Sequence, residues 1–461
     1  MKPRRSRWLL VFPILFVLLL GSVVVAGPRF IQANPDIVIN MVDWVRNVVG
    51  PAPVSAVENT YYRIVDVYDR LRYQLTGQST TWELTAPTLD QASATPGPGS
   101  VAAAVTSATP TPSAAPGRTA PARATGTPAK MAGAAAVASP TPTPGVSPQH
   151  RLSQAAPVAI TPDGPPRALI PVITAPALPG EGLWRPLATV GQPAGAPPLI
   201  WQTVLRPDPA RPFAQVALVA MDLSRSQLHI VPGTREPASN VPPNGLRTGM
   251  IPIDAQAGGQ LLAAWNGGFK AIHGHYGMMT NGVVWLAAKD GMATAAIDSQ
   301  GRLTLGAWGR GVKPDGAWVA WRQNNPPLIE DGVVNPDVIK LANTIKWGAS
   351  LDGAVFIWRS GMGTTPGGRW LIYAAGNSLS VQTLTMALQA AGVNNAMQLD
   401  VNATFPRFTT FSPVVQAAKV GGKGVSLPIT SIKLINQMAG GPTQFLVPYD
   451  RDFFYLTYRP G

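Results

Sequence analysis

From Ile200 onward, short apolar runs alternate with turn signals. They are Gln215 to Met221, Gln227 to Val231, Leu261 to Trp265, Gly282 to Leu286, Trp318 to Trp321, Val355 to Trp358 and Trp370 to Tyr373. Runs of this length, bounded by Gly, Pro, Asn and Asp, predict strands. One helical pattern interrupts them: Val381, Leu384, Leu388 and Ala391 share a face, Ser380 can cap its start and Gly392 its end. Ala396-Met397-Gln398-Leu399 then predicts a buried strand with Asp400 at its C-terminal tip. This balance predicts an α+β fold with a mixed sheet and few helices, not a doubly wound βαβ fold.

The N-terminal half has a different pattern. Lys2, Arg4, Arg5 and Arg7 precede an uncharged run from Trp8 to Ala26. At about 1.5 Å per helical residue this run is about 28 Å long, close to the hydrocarbon core of a bilayer. The basic flank predicts a single-pass transmembrane anchor with everything beyond it outside the cell membrane. A cleaved signal peptide is the rival reading, since Val24 and Ala26 are small enough to precede a cut. Both readings export the rest of the chain.

Asn34-Pro35-Asp36 opens a second helix that Gly50-Pro51 closes, with Ile37, Met41, Val45 and Val48 on one face. A third is expected from Ser55, where Glu58 completes a capping box, with Val57, Tyr61, Val65, Tyr68, Leu71 and Leu75 as its apolar stripe. Such a pair of helices lies on the membrane, packs as a hairpin or self-associates with another copy. Residues 86–200 are rich in Ala, Pro, Thr, Ser and Gly, with TPTP at Thr109 and again at Thr141. They bury too little apolar surface to offset ordering entropy and are expected to form a disordered tether. The expected divisions are therefore 1–26, anchor or signal peptide; 27–85, juxtamembrane helices; 86–200, linker; and 201–461, globular domain.

Composition sharpens this outline. The 461 residues include 48 Pro and 46 Gly, and only 13% are charged. The absence of Cys excludes disulfides, a thiol nucleophile and cysteine metal sites. A formal charge of +13 suits anionic surroundings such as lipid head groups or phosphate-containing glycans. Nucleic acid is not indicated, because the basic residues are scattered without interleaved aromatics beyond the N-terminus. No HExxH, P-loop or G-x-S-x-G elbow occurs, and nothing visible requires a metal or a cofactor.

Three stretches carry candidate chemistry. Leu261 to Trp265 ends abruptly in Asn266-Gly267-Gly268-Phe269, where two glycines permit positive φ and close approach of a ligand to the backbone. A plain tight turn explains the same letters. His273-Gly274-His275 follows, either lining a site or serving as polar loop. Arg359, in Arg359-Ser360-Gly361-Met362-Gly363, is expected at a strand end, where a guanidinium grips phosphate with two parallel hydrogen bonds. Pairing with a carboxylate such as Asp352 is the alternative. Asp400, with Asn402 and Thr404 behind it, is either a functional carboxylate at a strand tip or a turn former.

Together, WNGGF at Trp265, RSGMG at Arg359 and the helix-Gly-strand-Asp segment ending at Asp400 resemble signatures of the phosphodiester glycosidase family, over roughly residues 205–438. That resemblance implies a hydrolase cleaving the glycosidic bond of a sugar-1-phosphodiester of the N-acetylhexosamine-phosphate type. In it, Asp400 would be the general base or nucleophile and Arg359 the phosphate-binding cation. Asn266, Gly267, Gly268, His275, Asn402 and Thr404 would contact substrate. The family's usual continuation after this Asp is L-D-G-G-G-S-S/T, and here Val401-Asn402-Ala403-Thr404 follows instead. Val401 and Ala403 would be strained in glycine-like conformations. The corresponding alternative is an inactive member that binds anionic envelope glycans.

Overall fold

The computed structural model describes residues 51–78, 84–85, 164–241, 247–340, 344–348, 356–413, 418–420, 423–425, 429–441 and 443–459, with single positions 41, 44 and 48. The expected anchor at 8–26 and most of the expected tether lie outside them. Among the described residues no helix is long and apolar enough to cross a membrane. The described residues belong to one unit made of residues 1–94 and 160–461.

Its largest sheet has eight strands, in the spatial order β1 (Arg185–Pro186), β2 (Ile200–Leu205), β3 (Val216–Asp222), β14 (Trp370–Leu379), β13 (Ile357–Thr364), β15 (Asn395–Val401), β11 (Ile329–Glu330) and β12 (Val333–Val334). A five-stranded sheet runs β7 (Val283–Leu286), β6 (Met278–Thr280), β10 (Trp318–Gln323), β8 (Ala293–Asp298), β9 (Leu303–Ala307). Another runs β19 (Ile429–Lys433), β16 (Phe408–Pro413), β5 (Leu261–Asn266), β20 (Phe453–Tyr458), β4 (Ser226–Val231), and β17 (Ala418–Val420) forms a small hairpin with β18 (Lys423–Val425). The described helices are α1 (Pro51–Thr76), α2 (Ile253–Ala257), α3 (Pro336–Ile339) and α4 (Val381–Ala390).

The sheet-rich α+β class agrees with the pattern, but the expected mixed sheet does not. The ladder pairings in the three larger sheets are antiparallel. Where successive strands pair, as in β6–β7, β8–β9 and β13–β14, short turns reverse the chain; the other ladders join strands distant in sequence. α4 makes a helical crossover that joins β14 to β15 across the intervening antiparallel β13, and the segment that carries α2 likewise joins β4 to β5 across β20.

The two-residue period of the central strands explains the layering. In β3, Ala217, Val219 and Met221 enter one core while Val216, Leu218 and Ala220 enter another. β14 divides the same way, with Leu371, Tyr373 and Ala375 on the first side and Trp370, Ile372 and Ala374 on the second. Both faces of the large sheet are thus covered, and its strands read as continuous apolar runs. The second core is closed by Val381, Leu384, Ala387 and Leu388 of α4, whose Ser380 cap accepts the Thr383 N–H at 3.0 Å. The first core contains Trp265, stacked between Phe408 and Phe454 with ring centres 5.9 and 5.8 Å away.

Two boundaries and one helix face differ from the sequence reading. Ordered structure begins inside the stretch read as linker: Leu169, Leu187 and Leu199 are buried, and Glu181 forms a buried ion pair with Arg206 at 2.7 Å. Prolines there reduce the entropy lost on ordering, so a few leucines and one ion pair suffice to fix the segment. α1 starts at Pro51, ahead of the expected Ser55, because proline is well suited to the first helical turn. Its expected apolar stripe is only partly covered: Tyr61 and Val65 are half-buried but Tyr68, Leu71 and Leu75 are exposed, while Tyr62, Asp66, Asp69 and Tyr73 face the domain. Those four lie at i, i+4, i+7 and i+11, one face of a helix. They dock through polar groups and rings, which a search for apolar periodicity passes over.

Candidate functional site

Asp400 lies near the end of β15, where the ladder to β13 is irregular. Arg359 pairs with Val401 but Gly361 pairs with Gln398, so β15 carries one extra residue there. Such a bulge re-aims a side chain. Asp400 is 7% exposed; its Oδ1 accepts the Val401 N–H at 2.9 Å and its Oδ2 accepts from Arg451 Nη2 at 2.5 Å. Burial pushes the carboxyl pKa up and Asp452 adds to this, while Arg451, the Val401 N–H and Lys270 pull it down; the net value is about 6. Burial opposes the charge on Arg451, but Asp400, Tyr449, Asp452 and Glu236 outweigh it and hold the guanidinium above its ordinary value.

Arg451 is the main charged partner of this carboxylate. Besides Asp400 it donates to Gly268 O at 2.9 Å, and its Nε and Nη1 are buried with no hydrogen-bond partner among the described residues. Unsatisfied buried donors are unusual, and one explanation of them is a missing ligand. Its guanidinium carbon lies 4.5 Å from the centre of the Phe405 ring, and Lys270 Nζ lies 5.8 Å from the same centre. A guanidinium with spare donors, bonded to a protonatable carboxyl, and a second cation therefore share one phenyl ring.

The Asn266-Gly267-Gly268 segment serves as scaffold for this cluster. Asn266 donates to Ser360 Oγ at 3.0 Å and Gly267 O at 3.1 Å, and accepts from Arg407 N at 2.9 Å and Tyr373 Oη at 3.1 Å. Ser360 Oγ in turn donates to Asp400 O at 2.7 Å, so Asn266 is linked to the backbone of Asp400 through one hydroxyl. The Asp400 N–H donates to Gly267 O at 3.0 Å, which ties β5 directly to β15. Neither glycine adopts the positive φ expected of it; close packing requires Gly267 and leaves little space at Gly268. A Cβ on Gly267 would lie 1.9 Å from Asp452 Oδ2, and one on Gly268 3.0 Å from the Arg322 guanidinium. Asp452 and Arg322 are fully buried and joined by two hydrogen bonds of 2.8 and 3.1 Å. The close approach is therefore made by the protein's own ion pair.

Arg359 is the third residue of β13, within the strand and not at its end. Gly361 and Gly363 allow the strand to continue, because side chains there would strike Met397 O and Val393. Arg359 is 1% exposed and donates to Leu379 O at 2.9 Å, Trp347 O at 2.6 Å and Gln398 Oε1 at 2.9 Å. Burial lowers its pKa to about 9. Asp352 lies outside the described residues.

In the turn after Asp400, only Asn402 is left-handed, at φ 75°. Val401 remains extended in β15 and packs on Phe269 and Ile357, so neither Val401 nor Ala403 bears the strain expected of it. Thr404 is buried in the same turn. His275 is exposed at φ 46°, its N–H donating to Ala271 O at 2.7 Å. Arg451, Asp452 and Arg322 were not legible as site residues: Arg322 ends an apolar run, Arg451 and Asp452 precede the last strand, and no spacing links them to Asp400.

No protein-family profile and no curated protein matches the chain. Among solved structures it is similar to the zebrafish N-acetylglucosamine-1-phosphodiester alpha-N-acetylglucosaminidase catalytic domain auto-inhibited by pro-peptide. That similarity has a TM-score of 0.36 and 14% identity over 59% of this chain and 87% of the other. It is similar also to a hypothetical protein from Synechocystis, with TM-score 0.34 and 12% identity over 58% of this chain and 65% of that one. A putative exported protein from Burkholderia pseudomallei gives TM-score 0.23 and 11% identity over 54% and 74%. Likenesses this distant bring no site residue to this chain; the site rests on its own geometry.

Proposed function

We propose that the domain is an exported, membrane-tethered hydrolase that cleaves the bond between the anomeric carbon of an N-acetylhexosamine-type sugar and the phosphate of a phosphodiester, in an envelope or extracellular glycan. The observation that carries this reading is the Asp400 carboxyl held against Arg451, whose Nε and Nη1 have no partner among the described residues. The quoted sequence signatures around Asn266, Arg359 and Asp400 support it independently.

The chemistry asks for a base near the anomeric carbon and a cation for the phosphate. With a pKa of about 6, Asp400 is mostly ionised at neutral pH and basic enough to take a proton from water. In the step proposed, the water oxygen bonds to the anomeric carbon as Asp400 takes one of its protons. The bond from that carbon to the phosphate oxygen breaks, and the electron pair leaves with the phosphate. The products are a free sugar and a phosphate monoester, whose added negative charge is met by Arg451 and Lys270. Arg359 would position Gln398 and the adjacent loops, since its donors are engaged by carbonyl oxygens; the phosphate-binding role passes to Arg451.

The test is release of N-acetylhexosamine from a methyl N-acetylhexosamine-1-phosphodiester by the full-length protein. Asp400→Asn should lower kcat by about 100-fold or more. Arg451→Lys should lower kcat/KM by at least about 10-fold, because an ammonium cannot reproduce the fork of donors. Binding of phosphate-containing glycans without any released sugar would overturn the hydrolase reading in favour of a binding module.

A further inference from the structure

α1 is separated in sequence from the rest of the domain by the Pro/Thr/Ala-rich stretch, yet it docks at the end of β13 where Asp400 lies. A second bulge forms its landing place. Ile357 pairs with Leu379 but Arg359 pairs with Gly376, so β14 also carries an extra residue, and Ser378 in that bulge is left-handed at φ 57°. Ser378 Oγ donates to Asp69 Oδ2 of α1 at 2.6 Å, and Ser378 O accepts from Arg211 Nη2 at 3.0 Å. The same Arg211 nitrogen bonds Asp66 of α1, and both members of this ion pair are at least nine-tenths buried. Arg211 also lies against the Phe356 ring at 3.4 Å, and the Tyr73 ring is 6.3 Å from that of Phe213. Exposed ion pairs contribute little, but a buried pair resists separation because each charge would be left without its partner.

About one turn before Asp66 and two before Asp69 on the same helix face, Tyr62 packs against the cluster of Phe269, Ile357 and Val401. Its hydroxyl donates to Asn402 Oδ1 at 3.4 Å, and the Asn402 N–H donates to Trp358 O at 2.9 Å. Asn402 is the single left-handed residue of the turn that follows Asp400, a conformation that a residue with a side chain keeps only where its surroundings hold it. The contacts of Val401 and Asn402 with α1 supply such surroundings.

We propose that α1 is a positioning element of the candidate site: docked through Asp66 and Asp69, it sets Tyr62 against Val401 and Asn402 and so fixes the turn that carries the chain away from Asp400. The functional unit would then include a helix from before the low-complexity stretch, with Tyr62 as a positioning residue. The coupling between α1 and the turn is independent of any reaction; only its effect on turnover rests on the hydrolase reading.

Amide hydrogen exchange on the full-length protein tests the coupling without a substrate. In Tyr62→Ala, and separately in Asp66→Asn/Asp69→Asn, the amides of residues 401–405 should exchange at least about tenfold faster, while those in the middle of β3 and β14 stay as in the unmodified protein. Tyr62→Phe keeps the packing and should lie closer to the unmodified protein. Wild-type exchange at 401–405 in Tyr62→Ala, or in the double variant after α1 itself has lost protection, would overturn the proposal. Against the phosphodiester, Tyr62→Ala should lower kcat by more than it raises KM. If no form of the protein, the unmodified one included, hydrolyses it, the hydrolase reading fails and the exchange result still decides the coupling.

Discussion

Replacing Arg451 with Met is the most discriminating single perturbation, because the stability lost should depend on pH in a way that identifies Asp400. Wild-type Asp400 has a pKa of about 6 in the fold, against about 3.9 in an unfolded chain. A raised folded pKa contributes stability that is fully present below the unfolded value and is lost as pH rises through the folded value. By this linkage, wild-type Asp400 costs about 3 kcal/mol at about pH 7 and about half of that at about pH 5. Without Arg451 the carboxyl loses its strongest stabilising charge and its pKa rises further. The added cost is capped, since the group can take up a proton instead of remaining a lone buried anion. Complete protonation at about pH 7 costs about 4 kcal/mol, so the pH-dependent part of the Arg451→Met loss is about 1 kcal/mol there and close to zero at about pH 5.

A pH-independent part remains, from the lost bond to Gly268 O, which as a charged hydrogen bond contributes about 1.5–3 kcal/mol. Urea denaturation of both proteins at the two pH values measures the difference. Asp400→Asn/Arg451→Met should lose the pH-dependent part. The same loss at both pH values in the single variant would refute the assignment of a burial-raised, arginine-held carboxyl.

Arg359→Ala should reduce stability by about 2–4 kcal/mol, because it leaves buried carbonyl acceptors without a donor, and Arg359→Lys should restore only part of it. Loss of turnover at unchanged thermal stability would instead support a direct substrate role. Gly267→Ala would place a methyl 1.9 Å from Asp452 Oδ2, and overpacking against a buried ion pair should cost at least about 3 kcal/mol, read as loss of folded protein in circular dichroism. Trp265→Ala should cost about 3–5 kcal/mol in urea denaturation, since it vacates the space between Phe408 and Phe454; Trp265→Phe should cost less.

The local letters gave part of the secondary structure of the domain and left strands such as β8, β9, β16 and β20 unmarked. β5, β10 and β14 fall on expected runs, and α4 starts at its Ser380 cap, because apolar period, capping and turn chemistry act over a few residues. Asp400 at the end of a buried strand was legible for the same reason. Tertiary structure decided what surrounds it. Arg451 lies 51 residues away and Tyr62 is 340 residues from Asn402, so no spacing rule could pair them. The bulges beside β13 arise from register between strands, which a single strand does not encode. Arg359 shows the same limit from the other side. Its letters fit a phosphate ligand, but residues from β14, β15 and a neighbouring loop supply carbonyl acceptors that occupy it. Sequence determines which groups are present and the local form of the chain; burial and pairing, which set their charge and their availability, are determined only when distant segments meet.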